Sequence, residues 1–475
     1  MAKVIDRYPT NTLDLPACIE RSIDTESIFK RRGFIPCTHK EAHPLRSIQE
    51  IIQYVRSPSC GDIFEMLYGH GAGVREKQTA RYEALALKFA AQFPERKHAR
   101  VFSAPGRAEI GGNHTDHQSG RVLAASVNLD TLAIAAPNGG TTVCIHSEGY
   151  APIKVELADL SPLDSERGNS AAVVRGCAAR MKETGRPIGG FDAVVTSDVL
   201  GGSGLSSSAS FEVTLCRIFD NLFGGGDMAP DECAIISQHA ENVYFGKPCG
   251  LLDQMGCAVG GLVAMDFIRS EPAVEKVAFD FEAAGYTLAV VNTGGDHGDL
   301  TGAYASIPAD MGFVAAFFEK ERLRFVDRSL FEENLPSLVG KVSDQAIVRA
   351  MHFFDENDRV PQQVAALQAA DLPRFFELIN ASGDSSMKLL QNIYVDPNDQ
   401  PITLALALSE RMLRGSGAWR VHGGGFAGTI LAFVPLSMYQ TYRKRMDQAF
   451  GAGACQPLNI RPVGTYELII GGING

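Results

Sequence analysis

The stretch Pro105–His117, PGRAEIGGNHTDH, gathers one arginine, one aspartate and two histidines around glycines. Such a set can form the floor of a polar pocket, where Asp116 accepts from hydroxyl groups and His114 donates or accepts. A metal reading of His114, Asp116 and His117 is disfavoured, because adjacent positions point in different directions and no further His or Cys cluster joins them. An ordinary surface loop is the plainer alternative. Far along the chain, Asp253 follows two leucines and precedes apolar sequence, which points to partial desolvation. A buried carboxylate needs a partner. Two readings stay open: Asp253 caps a helix, or it holds and deprotonates an attacking hydroxyl while paired with a cation such as Arg107.

A second chemical signal is the run Leu200–Val213, LGGSGLSSSASFEV, which joins a strand-like segment to a helix through glycines and hydroxyls. Gly201, Gly202 and Gly204 permit positive φ and close backbone approach, while the first-turn amides and the positive end of the helix dipole face Ser206, Ser207 and Ser208. An anion such as phosphate fits there, and three hydroxyls in one turn can offer oxygens to Mg²⁺. Glycine turns before helices with serine N-caps are also common structural devices. No GxxxxGK[ST] is present, and HRD and DFG are absent, so P-loop and protein-kinase readings fail. Glu241 reads as a solvated helix residue, and as a metal ligand only if the fold turns it toward the serines.

Elements must position these groups. Phe191–Thr196 reads as a strand, and Phe211, Leu215, Ile218, Phe219 and Leu222 recur at helical spacing, which starts a helix near Ser206 to Ser208. Tyr82, Leu85, Phe89 and Phe93 mark a helix ending before Pro94, followed by a short strand at Val101–Ala104. Further strands are expected at Gly261–Phe267, Tyr286–Val291 and Thr429–Val434. Helical sequence is expected from about Pro308, placed in a first turn, to Arg414. The glycine loop Val421–Gly428 has no helix pattern after it, so it is expected to let backbones approach closely. Ile48, Ile51, Ile52 and Val55 predict one amphipathic helix. The expected organisation is an N-terminal extension of unassigned role over 1–75, a first lobe over 76–285 and a second over 286–475.

The 475 residues are enough for two or three domains, and 45% hydrophobic with 21% charged residues is an ordinary globular composition. The formal net charge of −11, with no Lys/Arg-rich block, argues against a nucleic-acid partner. Ten scattered cysteines without a CxxC pair favour reduced thiols. The N-terminal residues lack an apolar signal core, and no run reaches a membrane span of about 20 apolar residues. A cytoplasmic protein is expected, binding small molecules, with no membrane partner and a monomeric or weakly homo-oligomeric state.

Together the motifs resemble the GHMP superfamily of sugar and metabolite kinases, and within it the galactokinases. PGRAEIGGNHTDH is similar to the galactokinase signature, GGSGLSSSAS to the family's phosphate loop and HGGGFAG to its third motif. ENVYFGKPCGLLDQ and RAMHFFDENDRV are similar to galactokinase segments outside these motifs. The resemblance implies an α/β (α+β) two-lobed fold, with a mixed-sheet N-lobe and a layered C-lobe. It also implies ATP-dependent phosphorylation of the C1 hydroxyl of α-D-galactose.

By position the resemblance makes Asp253 and Arg107 catalytic and gives ATP to Gly201, Gly202, Ser203, Gly204, Leu205, Ser206, Ser207 and Ser208. Mg²⁺ falls to Ser207 and Glu241. The sugar falls to Arg107, Asn113, His114, Asp116, Gly250, Asp253 and Tyr304. Two departures stand out: Asn113 replaces the family's glutamate, which contacts the sugar's C6 hydroxyl, and His117 replaces a tyrosine. Asn113 would tolerate a C6 carboxylate or a missing C6 group, so galacturonate and arabinose are alternative substrates. A galactose-sensing regulator without catalysis is the alternative of another class.

Overall fold

The computed structural model describes residues 43–199, 204–295, 300–426 and 428–470. Gly201, Gly202 and Ser203 of the expected phosphate loop lie outside the described residues.

The first sheet is built on two long strands, β2 and β3. Reading along the chain, its strands are β1 (Arg46–Ser47), β2 (His98–Gly111), β3 (Arg121–Pro137), β4 (Thr142–Ser147), β5 (Ile153–Glu156), β6 (Phe191–Ser197), β7 (Leu262–Asp266) and β8 (Ala273–Val277). The order is β1-β2-β3-β6-β4-β5, with β7 and β8 extending from β3. The β4–β6 pair is parallel and the others are antiparallel, so the sheet is mixed. A second, antiparallel sheet comprises β9 (Tyr286–Asn292), β10 (Ala418–Val421), β11 (Thr429–Pro435) and β12 (Cys455–Leu458), in the order β10-β11-β9-β12.

Helices cover both faces of the first sheet. On one lie α1 (Ile48–Val55), α2 (Pro58–Tyr68) and α3 (Val74–Gln92). On the other lie α4 (Ser170–Glu183), α5 (Ser207–Phe219), α6 (Pro230–His239) and α7 (Leu252–Val259). The second lobe adds α8 (Thr301–Phe317), α9 (Asp344–Gln368), α10 (Leu372–Ser385), α11 (Pro401–Leu413) and α12 (Tyr439–Phe450). A continuous apolar core joins the lobes: Ile110, Leu123 and Leu205 pack with Leu288, Val360, Phe375 and Phe433. None of the described helices is long and apolar enough to cross a membrane. The eight described cysteines are free thiols.

Three features differ from the sequence reading. The strand expected at Val101–Ala104 continues to Gly111, because register shifts at Pro105/Arg107 and Glu109/Gly111 absorb the proline and the glycine without ending the ladder. Helix α8 begins at Thr301 and carries Pro308 in its interior, not in its first turn. Within the expected N-terminal segment, the described residues from Arg46 on pack with the first lobe: β1 pairs with β2, and α1 opens on a capping box in which Ser47 and Glu50 satisfy each other's backbone amides. At the far end β13 (Tyr466–Glu467) leaves the second lobe and pairs with Ser103 and Phe102 of β2. Both ends of the described residues therefore complete the first lobe.

A buried polar hub ties these ends together. Asp130 lies opposite Pro105, where β2 shifts register. Its carboxylate accepts from Tyr68 (2.6 Å), from Arg81, from Ser103 and from Arg461 (3.3 Å). Burial pushes its pKa up, but the two guanidinium charges outweigh this and hold it below the usual carboxylate range. Removing one member of a buried ion cluster leaves the others desolvated without a partner. Asp130→Ala is expected to lower stability by about 3–5 kcal/mol, measured by urea unfolding followed by circular dichroism. A loss under about 1 kcal/mol would put the hub in the class of surface ion pairs.

Candidate active site

The site begins at the first register shift along β2, between Pro105 and Arg107. Gly106 is needed there, since a Cβ would meet the Leu205 carbonyl at 2.7 Å. Just beyond it, the Arg107 N–H donates to Leu205 O (3.0 Å) and the Arg107 guanidinium donates to Gly204 O. Gly204 and Leu205, ahead of α5, are thus clamped to β2 by one residue's backbone and side chain. The same guanidinium donates through Nε to Asp253 Oδ1 at 2.9 Å, and Nη2 donates to that oxygen too. Helix α7 comes this close because its Gly256 faces the Arg107 side chain, with 2.9 Å left for a Cβ.

Helix α5 starts at Ser207, within the expected interval. Its N-cap residue, Ser206, has φ 59° and ψ 61°, a left-handed conformation that L-residues other than Gly, Asn and Asp seldom adopt. In that conformation its hydroxyl does not cap the helix and instead donates to Asp253 Oδ2. The first-turn amides consequently have no side-chain cap, which leaves them to an anion. Leu205, by contrast, is a core residue with 1% exposure.

Asp253 lies in the first turn of α7, held on one oxygen by Arg107 and on the other by Ser206. Burial raises its pKa, but Arg107 foremost, then Ser206 and Lys247, outweigh burial and hold the carboxyl below its ordinary range. No ion pair reaches Asp116 among the described residues, and Arg107 acts on it only weakly. Burial, then the Asp253 charge, pushes its carboxyl up to about 6. Its carboxylate lies against Gly250, where a Cβ would overlap it, so Gly250 makes room for Asp116. His114, also left-handed (φ 56°), donates from Nε2 to Gly424 O at 3.0 Å, and burial lowers its pKa to about 4, leaving the ring neutral. Tyr304 donates to Gly425 O at 2.9 Å and meets Phe426 edge-on. The loop Val421–Gly428 does bring backbones together: Gly423 approaches Gly204 O, and the Tyr304 ring occupies the space beside Gly424. Among the described residues no group of three or more His, Cys, Asp or Glu is arranged to hold a metal, and the His114 and His117 rings are 5.6 Å apart.

Glu241 does turn toward the serines. It lies on the π-helical turn Ala240–Phe245, and its Oε1 accepts from Ser208 Oγ at 3.4 Å. The hydroxyl that meets Glu241 is that of Ser208, one residue on from the Ser207 implied by the family pattern. Lys247 donates to the same Oε1 at 3.0 Å. Gln254 bridges Glu241 Oε2 (2.8 Å) and Glu212 Oε2 (3.0 Å), and Glu212 Oε1 is buried without a partner among the described residues. Hard carboxylate and hydroxyl oxygens beside an uncapped helix start suit Mg²⁺, which takes few protein oxygens and completes its shell with water and phosphate.

Asn113 is placed differently from the sugar-contacting role the family pattern gives it. It is fully buried. Its amide donates to Glu109 Oε1 (2.9 Å) and Gly423 O (2.7 Å), and its carbonyl accepts from Ser386 (3.1 Å) and Asn392 (2.9 Å). An asparagine side chain has two donors and room for two acceptor bonds, all of them used here. Sequence reasoning also passed over Lys247, Glu212, Gln254 and the inter-lobe pair Arg420–Glu109 (2.6 Å). Only Lys247, beside Gly246 and Pro248, had a local signal.

This fold and site define a GHMP-type small-molecule kinase. Residues 172–261 match the family model for the GHMP kinases N terminal domain, and residues 87–137 match the galactokinase galactose-binding signature. A galactokinase of Glaesserella parasuis serovar 5 is 31% identical over 379 residues, 78% of this chain and 93% of the relative. One from Streptomyces coelicolor is 29% identical, covering 74% and 89%. The structure of Lactococcus lactis galactokinase complexed with galactose superposes with a TM-score of 0.72 at 25% identity, over 81% of this chain and 99% of that one. Methanococcus jannaschii mevalonate kinase shares the fold alone, with a TM-score of 0.53 at 12% identity. The chain belongs to the galactokinase family.

The contrast between the two aspartates is measurable. A carboxyl with a raised pKa loses its charge as pH falls through that value, and one with a lowered pKa keeps its charge further into acid. Isotope-edited infrared difference spectra should show a carboxyl band titrating near pH 6 that disappears in Asp116→Asn, and kcat/KM for the sugar should fall along the same acid limb. An Asp116 that titrates near pH 4, like a solvated aspartate, contradicts the burial described here.

Proposed function

We propose that this galactokinase-family protein transfers the γ-phosphoryl group of ATP to the C1 hydroxyl of α-D-galactose, giving galactose 1-phosphate and ADP. The observation that carries the reading is the convergence of the Arg107 guanidinium and the Ser206 hydroxyl on the two oxygens of Asp253, at the uncapped start of α5. Phosphoryl transfer needs positioning and charge stabilisation more than covalent help from the protein. The α5 amides and the loop at Gly204 bind phosphate oxygens. Arg107 balances charge near the transferred group and fixes Asp253, whose carboxylate, ionised well into acid, orients the attacking hydroxyl and takes its proton. Asp116, His114 and Tyr304 line the sugar side.

Glu241 with a first-turn serine would hold Mg²⁺, which when bound would neutralise phosphate charge. The free thiols support action in a reducing compartment, the cytoplasm.

Galacturonate and arabinose rested on Asn113 facing the sugar's C6 end. With that side chain buried and saturated, the geometry does not favour them. ADP release from ATP-Mg²⁺ across galactose, galacturonate, arabinose and glucose is expected to give the highest kcat/KM for galactose. Asp253→Asn should lower kcat by roughly 10² or more. Wild-type turnover in that variant removes Asp253 from the mechanism, and no turnover with any sugar moves the sensor reading to the front.

A further inference from the structure

Lys247 follows directly from the turn that carries Glu241. The Glu241 carbonyl accepts from both the Gly246 N–H (3.0 Å) and the Lys247 N–H (3.2 Å), so the chain doubles back on itself. Gly246 makes this possible at φ 89°, where a side chain would be strained. The reversal brings the Lys247 ammonium onto Glu241 Oε1, the oxygen that also faces Ser208 and the start of α5. Head and stem of the lysine differ: the ammonium reaches a carboxylate whose side chain is 3% exposed, while the lysine side chain as a whole is 55% exposed.

The surroundings are short of positive charge. Among the described residues, Glu212 beneath Glu241 is buried with no partner for its Oε1, and Gln254 Oε1 has none either. Burial, then the Glu241 charge, pushes the Glu212 carboxyl well above its usual range. Arg107, the other cation nearby, has its guanidinium directed to Asp253 and Gly204. We propose that Lys247 is the resident counter-cation of Glu241, which a divalent cation must displace when it enters with the nucleotide, so that this lysine sets the enzyme's apparent metal affinity. The proposal rests on Glu241 as the carboxylate ligand of that cation. A metal ion and an ammonium compete because a Mg²⁺–oxygen bond of about 2.1 Å leaves no place for a second cation on the same face of the oxygen. The half-exposed lysine stem lets the head swing clear without disturbing the fold.

Mn²⁺ serves as a spectroscopic stand-in for Mg²⁺: free Mn²⁺ is followed by electron paramagnetic resonance while it is titrated into protein saturated with a non-hydrolysable ATP analogue. In Lys247→Met the half-saturating Mn²⁺ concentration should fall roughly two- to fivefold, the range set by loss of one competing, partly exposed ion pair. Lys247→Arg, which keeps the charge, should stay near wild type. Unchanged or weaker Mn²⁺ binding in Lys247→Met overturns the proposal, the weaker case making the lysine a phosphate ligand. Glu241→Gln should lose the tight Mn²⁺ site. If it keeps that site at full affinity, the assignment of Glu241 fails, and the lysine's role with it.

Discussion

A guanidinium that cannot lose its proton is held here in a place water scarcely reaches. Arg107 has a side-chain exposure of 6%, and its donors are directed to the Asp253 carboxylate and the Gly204 carbonyl. Leaving a buried charge without partners costs several kcal/mol, on the order of a domain's whole stability. The strand that carries Arg107, the loop before α5 and the first turn of α7 must therefore meet at one point in any folded molecule. The left-handed Ser206 follows from that meeting, since an extended N-cap would direct its hydroxyl to the α5 amides and away from Asp253. A cost in backbone strain leaves the helix start uncapped, which is the condition for holding an anion there.

The carboxylates around this point are separated by which of them meets a cation. Asp253 meets Arg107 and stays ionised into acid. Asp116, on the same cleft without a direct cation, is pushed up to about 6. Glu109, buried against Arg420 and Asn113, goes up to about 7, because burial exceeds the attraction of its partners. Glu356 is drawn down to about 2 despite burial, with Arg359 the leading counter-charge. Neighbouring groups of one chemical type thus titrate over different pH ranges, set by the cations they meet.

Much of this was legible in the sequence, and the parts that were not share a cause. Strands β6, β9 and β11 and the starts of α5 and α1 fell within a residue or two of expectation, because apolar periodicity and turn residues act locally. The pairing of Arg107 with Asp253 was legible because a carboxylate that follows two leucines and precedes apolar sequence demands a cation. The continuation of β2 through Pro105 was not, since a register shift depends on what the partner strand supplies, here Asp130 and its arginines. Nor could residues 46–68 be assigned to the first lobe, because their partners include a segment about 400 residues further on, around Tyr466. That the Ser208 hydroxyl bonds Glu241 depends on rotation around α5, which spacing alone does not resolve.

Asn113 lies within the signature stretch, at a position where it departs from the family's glutamate, and acts between lobes. Its side chain bonds Glu109 on β2 as well as Gly423, Ser386 and Asn392 of the second lobe, while its carbonyl accepts from His352 on α9. Glu109 in turn binds Arg420 on β10, and its backbone N–H donates to His422 Nε2, which fixes that imidazole as an acceptor on this side. Burial lowers the His422 pKa far enough to keep the ring neutral, so the contact does not switch with pH. These bonds hold the third glycine loop against the signature strand, and that loop supplies the carbonyls that orient His114 and Tyr304. An exchange at position 113 consequently acts on the sugar cleft through the spacing of its walls, and a glutamate there would bring a second carboxylate against Glu109 unless the network were rebuilt around it.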